Sequence, residues 1–275
     1  MKDLLSYEGR RALVFGGGGG GMGAAVVRDL ASLGAEVHVV DLREPPLDVA
    51  SYQQADLREP GAIDQAVASV GGPLHSLFYC AGLPGPPFDP IEVMTVNFLG
   101  LRHATQVAER FLTAGAAVSA ISSGAGMGWM MHLQPILELI ATPDVDEGQA
   151  WCKAHPELVD QGYAFSKEAI IVWVMAACVG LGERKRVRLN CISPGPTDTP
   201  MMPQFVANSG EDFFAALPRP LLGRNATPEE QAHPMVFLNS DAASCITGAN
   251  LYTDGGFSGG IFTGQVQLPP VVRAQ

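Results

Sequence analysis

The sequence predicts an α/β protein: a parallel β-sheet covered on both faces by helices. Three observations predict it. Short apolar stretches with strand character alternate with helical ones from Arg11 to Thr253, and such alternation implies crossover connections between parallel strands. An unbroken glycine run, residues 16–21, falls between the first strand and the first helix. Polar or small residues (Asp41, Asp56, Gly82, Ser123) stand at the ends of four strands, where open parallel sheets bind their ligands.

The elements follow in order. Residues 11–15 form a short apolar strand, and an Ala- and Val-rich helix opens near Met22. A glycine run could be a spacer, but a spacer has no reason to sit between a buried strand and a helix. It fits a tight turn whose backbone approaches a pyrophosphate at a helix N-terminus. Gly17, Gly21 and Gly23 mark the turn with a spacing of three residues and then one, which differs from the wider Gly-x-Gly-x-x-Gly fingerprint.

Residues 36–41 form the second strand, which ends on Asp41, 18 residues beyond Gly23. A carboxylate near that offset binds both ribose hydroxyls of NAD and repels the 2′-phosphate of NADP. Arg43 works against that choice, since an arginine there could receive a 2′-phosphate. NAD is therefore the expected cofactor, ahead of NADP.

The alternation continues with a strand at 53–56, a helix at 60–70, a strand at 74–80 running into Ala81 and Gly82, a long helix at 90–112 carrying Asn97, and a strand at 117–122 ending at Ser122 and Ser123. Residues 129–156 interrupt the rhythm. Trp129, Met130, Met131, Leu133, Ile136, Leu137, Leu139 and Ile140 recur there at helical intervals. They read equally as a helical hairpin covering the core or as an apolar wall beside a site.

Tyr163 and Lys167 are four residues apart and open a helix, so their side chains share one face. A phenol ordinarily holds its proton to about pH 10. A neighbouring ammonium favours the phenolate and lowers that pKa. A tyrosine tuned in this way exchanges protons with an alcohol or carbonyl oxygen near neutral pH. The apolar run at 169–182 is too short to span a bilayer and reads as a buried helix.

Beyond it come a strand at 187–192, then Pro194, Thr197 and Thr199 in the loop that follows. Residues 199–222 are rich in Met and Phe, a candidate lid over an apolar substrate. Thr227, Pro228 and Glu230 form a helix start with an N-cap, a proline at N1 and an acid at N3. Residues 250–253 are the last strand, before Asp254.

Composition narrows the classes. The 275 residues are 47% apolar, enough for a sizeable core. The net charge of −11 disfavours nucleic acid and anionic membrane as partners. Five scattered cysteines without Cys-x-x-Cys spacing point to reduced thiols and no metal site. Residues 1–10 lack the apolar core of a signal peptide, and a cytoplasmic location is expected. A hydrolase is disfavoured, because Ser122 and Ser123 lack the Gly-x-Ser-x-Gly elbow and the six histidines show no triad spacing.

In combination and order, Gly17, Gly21, Gly23, Asp41, Asp56, Leu57, Ala81, Gly82, Asn97, Ser123, Tyr163, Lys167, Pro194 and the Asp254-Gly255-Gly256 ending resemble the short-chain dehydrogenase/reductase family. The resemblance spans about residues 8–262. It implies one Rossmann-type domain, residues 1–275, with a seven-stranded parallel sheet. It also implies hydride transfer between NAD(H) and a secondary alcohol or ketone.

Carried over by position, Tyr163 is the acid/base, Ser123 holds the substrate oxygen, and Lys167 lowers the Tyr163 pKa and binds the nicotinamide ribose. Asn97 anchors a water in the proton relay. Met22, Ala81, Gly82, Pro194, Thr197 and Thr199 fall at cofactor-binding positions, with Asp56 and Leu57 beside the adenine.

There are departures. Gly16 replaces a usual threonine, and Tyr79-Cys80 replaces an Asn-Asn pair, removing a polar brace of the central strands. Ser123 precedes Tyr163 by 40 residues, far more than is usual. That insertion is similar to the one in bacterial 3α-hydroxysteroid dehydrogenase/carbonyl reductases and coniferyl-alcohol dehydrogenases. The expected substrate is accordingly bulky and apolar, steroid-like or aromatic, and the expected assembly a homodimer or homotetramer. The alternative is a non-catalytic dinucleotide-binding sensor or scaffold of the same fold.

Overall fold

The structure, a computed structural model, describes residues 3–160 and 162–268. Residues 1, 2, 161 and 269–275, assigned by sequence to the same domain, lie outside the described residues. The strands are β1 (Arg11–Phe15), β2 (Glu36–Asp41), β3 (Ser51–Gln54), β4 (Leu74–Tyr79), β5 (Leu112–Ile121), β6 (Arg188–Pro194) and β7 (Asn250–Thr253). They form one seven-stranded sheet in the order β3-β2-β1-β4-β5-β6-β7, and every pairing is parallel.

The helices are α1 (Gly21–Ser32), α2 (Pro60–Val70), α3 (Pro90–Met94), α4 (Gly100–Ala108), α5 (Leu133–Ile140), α6 (Val145–Ala154), α7 (Pro156–Val159), α8 (Tyr163–Lys185), α9 (Met202–Ser209), α10 (Glu211–Ala216), α11 (Pro228–Asn239) and α12 (Phe257–Phe262). A π turn, Thr95–Leu99, joins α3 to α4, and a 3₁₀ segment, Gly124–His132, precedes α5.

Period-two alternation in the strands sorts the core into two layers. Leu13, Phe15, Leu77, Tyr79, Val118 and Leu189 face α2, α4 and α8. Ala12, Val14, Val37, Val39, Phe78 and Ile192 face α1 and α11. Local chemistry sets several helix ends. Asp89 and Glu92 form a capping box at α3, and Thr227 and Glu230 form the expected one at α11.

Several boundaries differ from the sequence expectation. The helix expected to reach residue 112 ends at Ala108, because Leu112 is already paired with Leu74 of β4. The fifth strand therefore begins at Leu112, before residue 117. The third strand lies two residues earlier than expected, where Ser51–Gln54 pairs with His38 to Asp41. The fourth ends at Tyr79, one residue early, and the sixth runs on to Pro194 by pairing with Thr253 of β7. In each case tertiary pairing overrides local preference.

The apolar helix is also longer than its apolar run. α8 has 23 residues and is long and apolar enough to cross a membrane, but 67% of its apolar window is buried inside the protein. It is a core helix.

The insertion packs as a helical layer. Of its apolar series Ile136 and Leu139 are buried in the core and Trp129 and Ile140 pack against it, whereas Met130 and Met131 are 63% and 79% exposed. Arg102 of α4 holds the turn between α5 and α6. Its guanidinium donates to the carbonyls of Leu139, Ile140, Thr142 and Asp144 at 2.6–3.2 Å. Three of these carbonyls end α5 or follow it, so a buried side chain caps the helix.

Candidate active site

The glycine turn is dictated by close packing. A Cβ on Gly16 would stand 2.4 Å from the Ala81 backbone nitrogen, and one on Gly18 would stand 1.9 Å from the Arg43 carbonyl oxygen. The side chain of Arg43 lies across Gly19, its Cδ 2.7 Å from where a Cβ would be. Gly20 precedes α1 with no side-chain cap, so the first-turn N–H groups of that helix are free to receive an anion. The cradle fits a dinucleotide pyrophosphate.

Asp41 closes the turn from below. Its Oδ2 accepts from Gly18 N–H at 2.8 Å, and its Oδ1 accepts from Arg43 N–H at 3.0 Å. Each carboxylate oxygen has a further lone pair, so bracing the loop leaves room for ribose hydroxyls.

Asp56 is held by Arg58 at 2.5–3.0 Å, and Arg58 reaches on to Glu92. The Arg58 hydrogen bonds hold the Asp56 carboxyl below its usual pKa. Leu57 is buried in the core. At the other edge of the cradle Thr197 is buried and donates to the Gly195 carbonyl at 2.9 Å, next to Pro194 at the end of β6. Thr199 and Pro200 meet Gly21. A cavity of about 850 Å³ opens beside them, between Thr199, Pro200 and the α9 residues Met202, Pro203 and Val206.

Ser123, Tyr163 and Lys167 come together above the C-terminal ends of β4, β5 and β6. Ser123 is the N-cap of the 3₁₀ segment and accepts from Ala125 N–H at 3.1 Å. Its hydroxyl also lies close enough to that of Tyr163 to lower the Tyr163 pKa. The long insertion therefore does not hold the serine out of reach.

Lys167 is buried. Its Nζ donates to the Ile121 carbonyl at 2.8 Å and lies 5.6 Å from the centroid of the Tyr163 ring. Burial pushes Lys167 down to about 8 and Tyr163 up to about 12, with the neighbouring Ser123 hydroxyl pulling Tyr163 down. The expected lowering of the Tyr163 pKa by Lys167 is not found here: the ammonium lies over the ring face and is committed to Ile121, and burial outweighs the serine.

Asn97 sits fully buried in the π turn. Its Oδ1 accepts from Leu83 N–H at 2.7 Å, and its Nδ2 donates to the Leu83 carbonyl at 3.1 Å and to Ser166 Oγ at 3.0 Å. The side chain thus ties the loop after β4 to α8. Gly82 packs beneath it, where a Cβ would be 3.3 Å from Asn97 Oδ1 and 3.7 Å from Lys167 Nζ.

The absent Asn-Asn pair has a replacement. The buried Tyr79 hydroxyl donates to the Val96 carbonyl at 2.6 Å, bracing β4 against the π turn. The expected loss of a polar brace is corrected accordingly.

Two contacts have no signature in the sequence. Phe205 of α9 meets the Tyr163 ring edge-on at 4.9 Å, bringing the lid onto the phenol. His132 Nδ1 lies 2.7 Å from Glu168 Oε2. Histidine spacing could not reveal that pair, since its partner lies 36 positions away.

Comparison with known proteins agrees with this geometry. Residues 10–134 match the family described as short chain dehydrogenase, and residues 155–258 match the one described as Enoyl-(Acyl carrier protein) reductase. The unmatched stretch between them holds all of α6 and almost all of α5. The chain is 35% identical over 248 residues to coniferyl-alcohol dehydrogenase of Pseudomonas sp. strain HR199, covering 90% of this chain and 96% of that one. It is 31% identical over 251 residues to 3-alpha-hydroxysteroid dehydrogenase/carbonyl reductase of Comamonas testosteroni, covering 89% and 95%. Its fold is similar to the crystal structure of 3-alpha-hydroxysteroid dehydrogenase from Pseudomonas sp. B-0831 complexed with NADH. The TM-score is 0.76 at 26% identity, covering 94% of this chain and 100% of that one.

Proposed function

The chain belongs to the short-chain dehydrogenase/reductase family and is an oxidoreductase acting on alcohols and ketones; within that class, we propose that it serves NAD(H) and a bulky apolar secondary alcohol or ketone, with Tyr163 as acid/base. The observation that carries the reading is Lys167 Nζ over the Tyr163 ring and beside Gly82, with the Ser123 hydroxyl close enough to act on the phenol.

Gly17, Gly21, Met22 and Gly23 would hold the pyrophosphate, and Asp41 the adenosine ribose. Ala81, Gly82, Asp56 and Leu57 would line the adenine side, and Pro194, Thr197 and Thr199 the nicotinamide side. When bound, the nicotinamide supplies the hydride acceptor or donor. In the oxidation direction Tyr163, whose phenolate the positive charge of a bound oxidised nicotinamide would favour, would take the substrate hydroxyl proton, and Ser123 would hydrogen-bond the substrate oxygen as its charge changes. Lys167 places positive charge beside the phenol, and Asn97 keeps α8 and the loop after β4 in register.

NAD over NADP is supported by Asp41, whose carboxylate repels a 2′-phosphate. A bulky apolar substrate is supported by Phe205 against Tyr163, by Met202 and Val206 on the same lid, and by relatives named for coniferyl alcohol and 3-alpha-hydroxysteroids. The five free cysteines fit a reducing, cytoplasmic setting. A homodimer or homotetramer is the assembly we infer from the family.

Tyr163→Phe tests the reading. Turnover over a panel of steroid and aromatic alcohols and ketones should fall about 10²- to 10⁴-fold, with NADH binding by fluorescence titration unchanged. Retained turnover would overturn the role of Tyr163. NADH binding by the unaltered protein without turnover of any alcohol or ketone would point to a binding module.

A further inference from the structure

The segment after Ser123 is fastened to α8 along its length. Ser122 Oγ donates to the Lys167 carbonyl at 2.7 Å. A Cβ on Gly126 would stand 2.9 Å from that carbonyl oxygen, and one on Gly128 would stand 2.8 Å from Glu168 Oε1. His132 closes the far end at 2.7 Å from Glu168 Oε2. Glu168 is 5% exposed, whereas the His132 side chain keeps 36% of its surface in solvent.

Such a segment does not hold its own shape. 3₁₀ runs longer than three or four residues are uncommon because their hydrogen bonds are poorly aligned. This one spans nine residues, three of them glycine, and glycine adds conformational freedom. What fixes it is attachment to α8, and the glycines are what let it lie so close. Ser123 is its first anchor, as N-cap, and His132 its last.

We propose that the His132–Glu168 pair is a positioning element for the reaction: by pinning the 3₁₀ segment to α8 it sets the placement of the Ser123 hydroxyl against that of Tyr163. Glu168 follows Lys167 directly, so one helix carries the acid/base, the lysine and the residue that registers the serine. Lys167 turns away from the pair toward the Ile121 carbonyl, leaving His132 as the side-chain partner of the carboxylate. Burial raises the Glu168 pKa and the imidazole opposes it, as a coupled pair requires. The inference rests on Ser123 and Tyr163 acting as described above.

The test uses His132→Ala, Glu168→Ala, Glu168→Gln and the double alanine variant in the full chain. Thermal midpoint, NADH affinity, and kcat and KM for the alcohol substrate are measured for each. A displacement of an ångström at a reacting group costs on the order of 100-fold. The two alanine variants should therefore lose about 10- to 100-fold in kcat, with NADH affinity within about twofold of the unaltered protein. Glu168→Gln, which keeps an acceptor for His132, should recover most of the loss. The double variant should be no worse than the poorer single, as for two residues acting as a unit.

His132→Ala, at a partly exposed side chain, remains informative if Glu168→Ala does not fold. Wild-type kcat and KM in folded His132→Ala would overturn the proposal, as would a parallel loss of NADH affinity and kcat. Tyr163→Phe is assayed alongside. If it retains turnover, the reading of the site fails; if it is inactive while His132→Ala is normal, only the positioning role fails.

Discussion

Lys167 Nζ stands over the face of the Tyr163 ring, 5.6 Å from its centroid, and gives its hydrogen bond to the Ile121 carbonyl at 2.8 Å. The lysine is thus anchored by the end of β5, and burial makes both groups costly to ionise. Lys167 is pushed from 10.5 down to about 8, and Tyr163 from 10.0 up to about 12.

The sign of the resulting pH dependence differs for the two groups. Between about pH 8 and 10.5 the unfolded chain carries a proton on Lys167 that the folded protein has shed, so stability rises with pH there. Above pH 10.0 the folded protein keeps the Tyr163 proton that the unfolded chain loses, so the Tyr163 contribution falls up to about pH 12. Lys167→Met should lose activity and flatten the rise in urea midpoint between about pH 8 and 10. An unchanged slope in that window would show that Lys167 is not a desolvated ammonium.

Tyr79 braces the π turn that carries Asn97. Tyr79→Phe removes the donor at the Val96 carbonyl in a fully buried place. The expected cost is about 1–3 kcal/mol, read as a lower urea midpoint with an unchanged m-value. A neutral substitution would mean that Val96 is satisfied elsewhere.

Arg102 holds the insertion through backbone carbonyls. Arg102→Met keeps much of the packing volume and leaves the end of α5 uncapped. Stability should fall by about 2–4 kcal/mol. Hydrogen exchange should quicken first in α5 and α6, with NADH affinity unaffected. Faster exchange spread evenly over the sheet would contradict a local clamp.

Asp41 is expected to act twice, on the cofactor and on the loop. Asp41→Ala removes the acceptor of Gly18 and Arg43 N–H groups, so NADH affinity should drop about 10-fold or more. Loss of the carboxylate also removes the repulsion of a 2′-phosphate, so the NADPH-to-NADH affinity ratio should rise. Titration of both cofactors separates the effects, and a fixed ratio would show that Asp41 only braces the loop.

Much of this site is legible in the sequence. The glycine turn, Asp41 at a strand end and the Tyr163–Lys167 helix are local features, each written in a few consecutive residues with a fixed period. The capping box at Thr227 and Glu230 is of the same kind. The end of α4, the start of β5 and the end of β6 are not legible there, because they are set by pairing with distant strands.

The chain order by itself determined the layering of helices on a parallel sheet and the side chains offered at its ligand-binding edge, because backbone periodicity and turn chemistry act over short range. Only the tertiary structure decided that Lys167 bonds Ile121, that Tyr79 stands in for a missing polar pair, and that His132 finds Glu168. Those contacts join residues 17 to 46 positions apart. Burial, which no local pattern encodes, then set the protonation of the groups brought together.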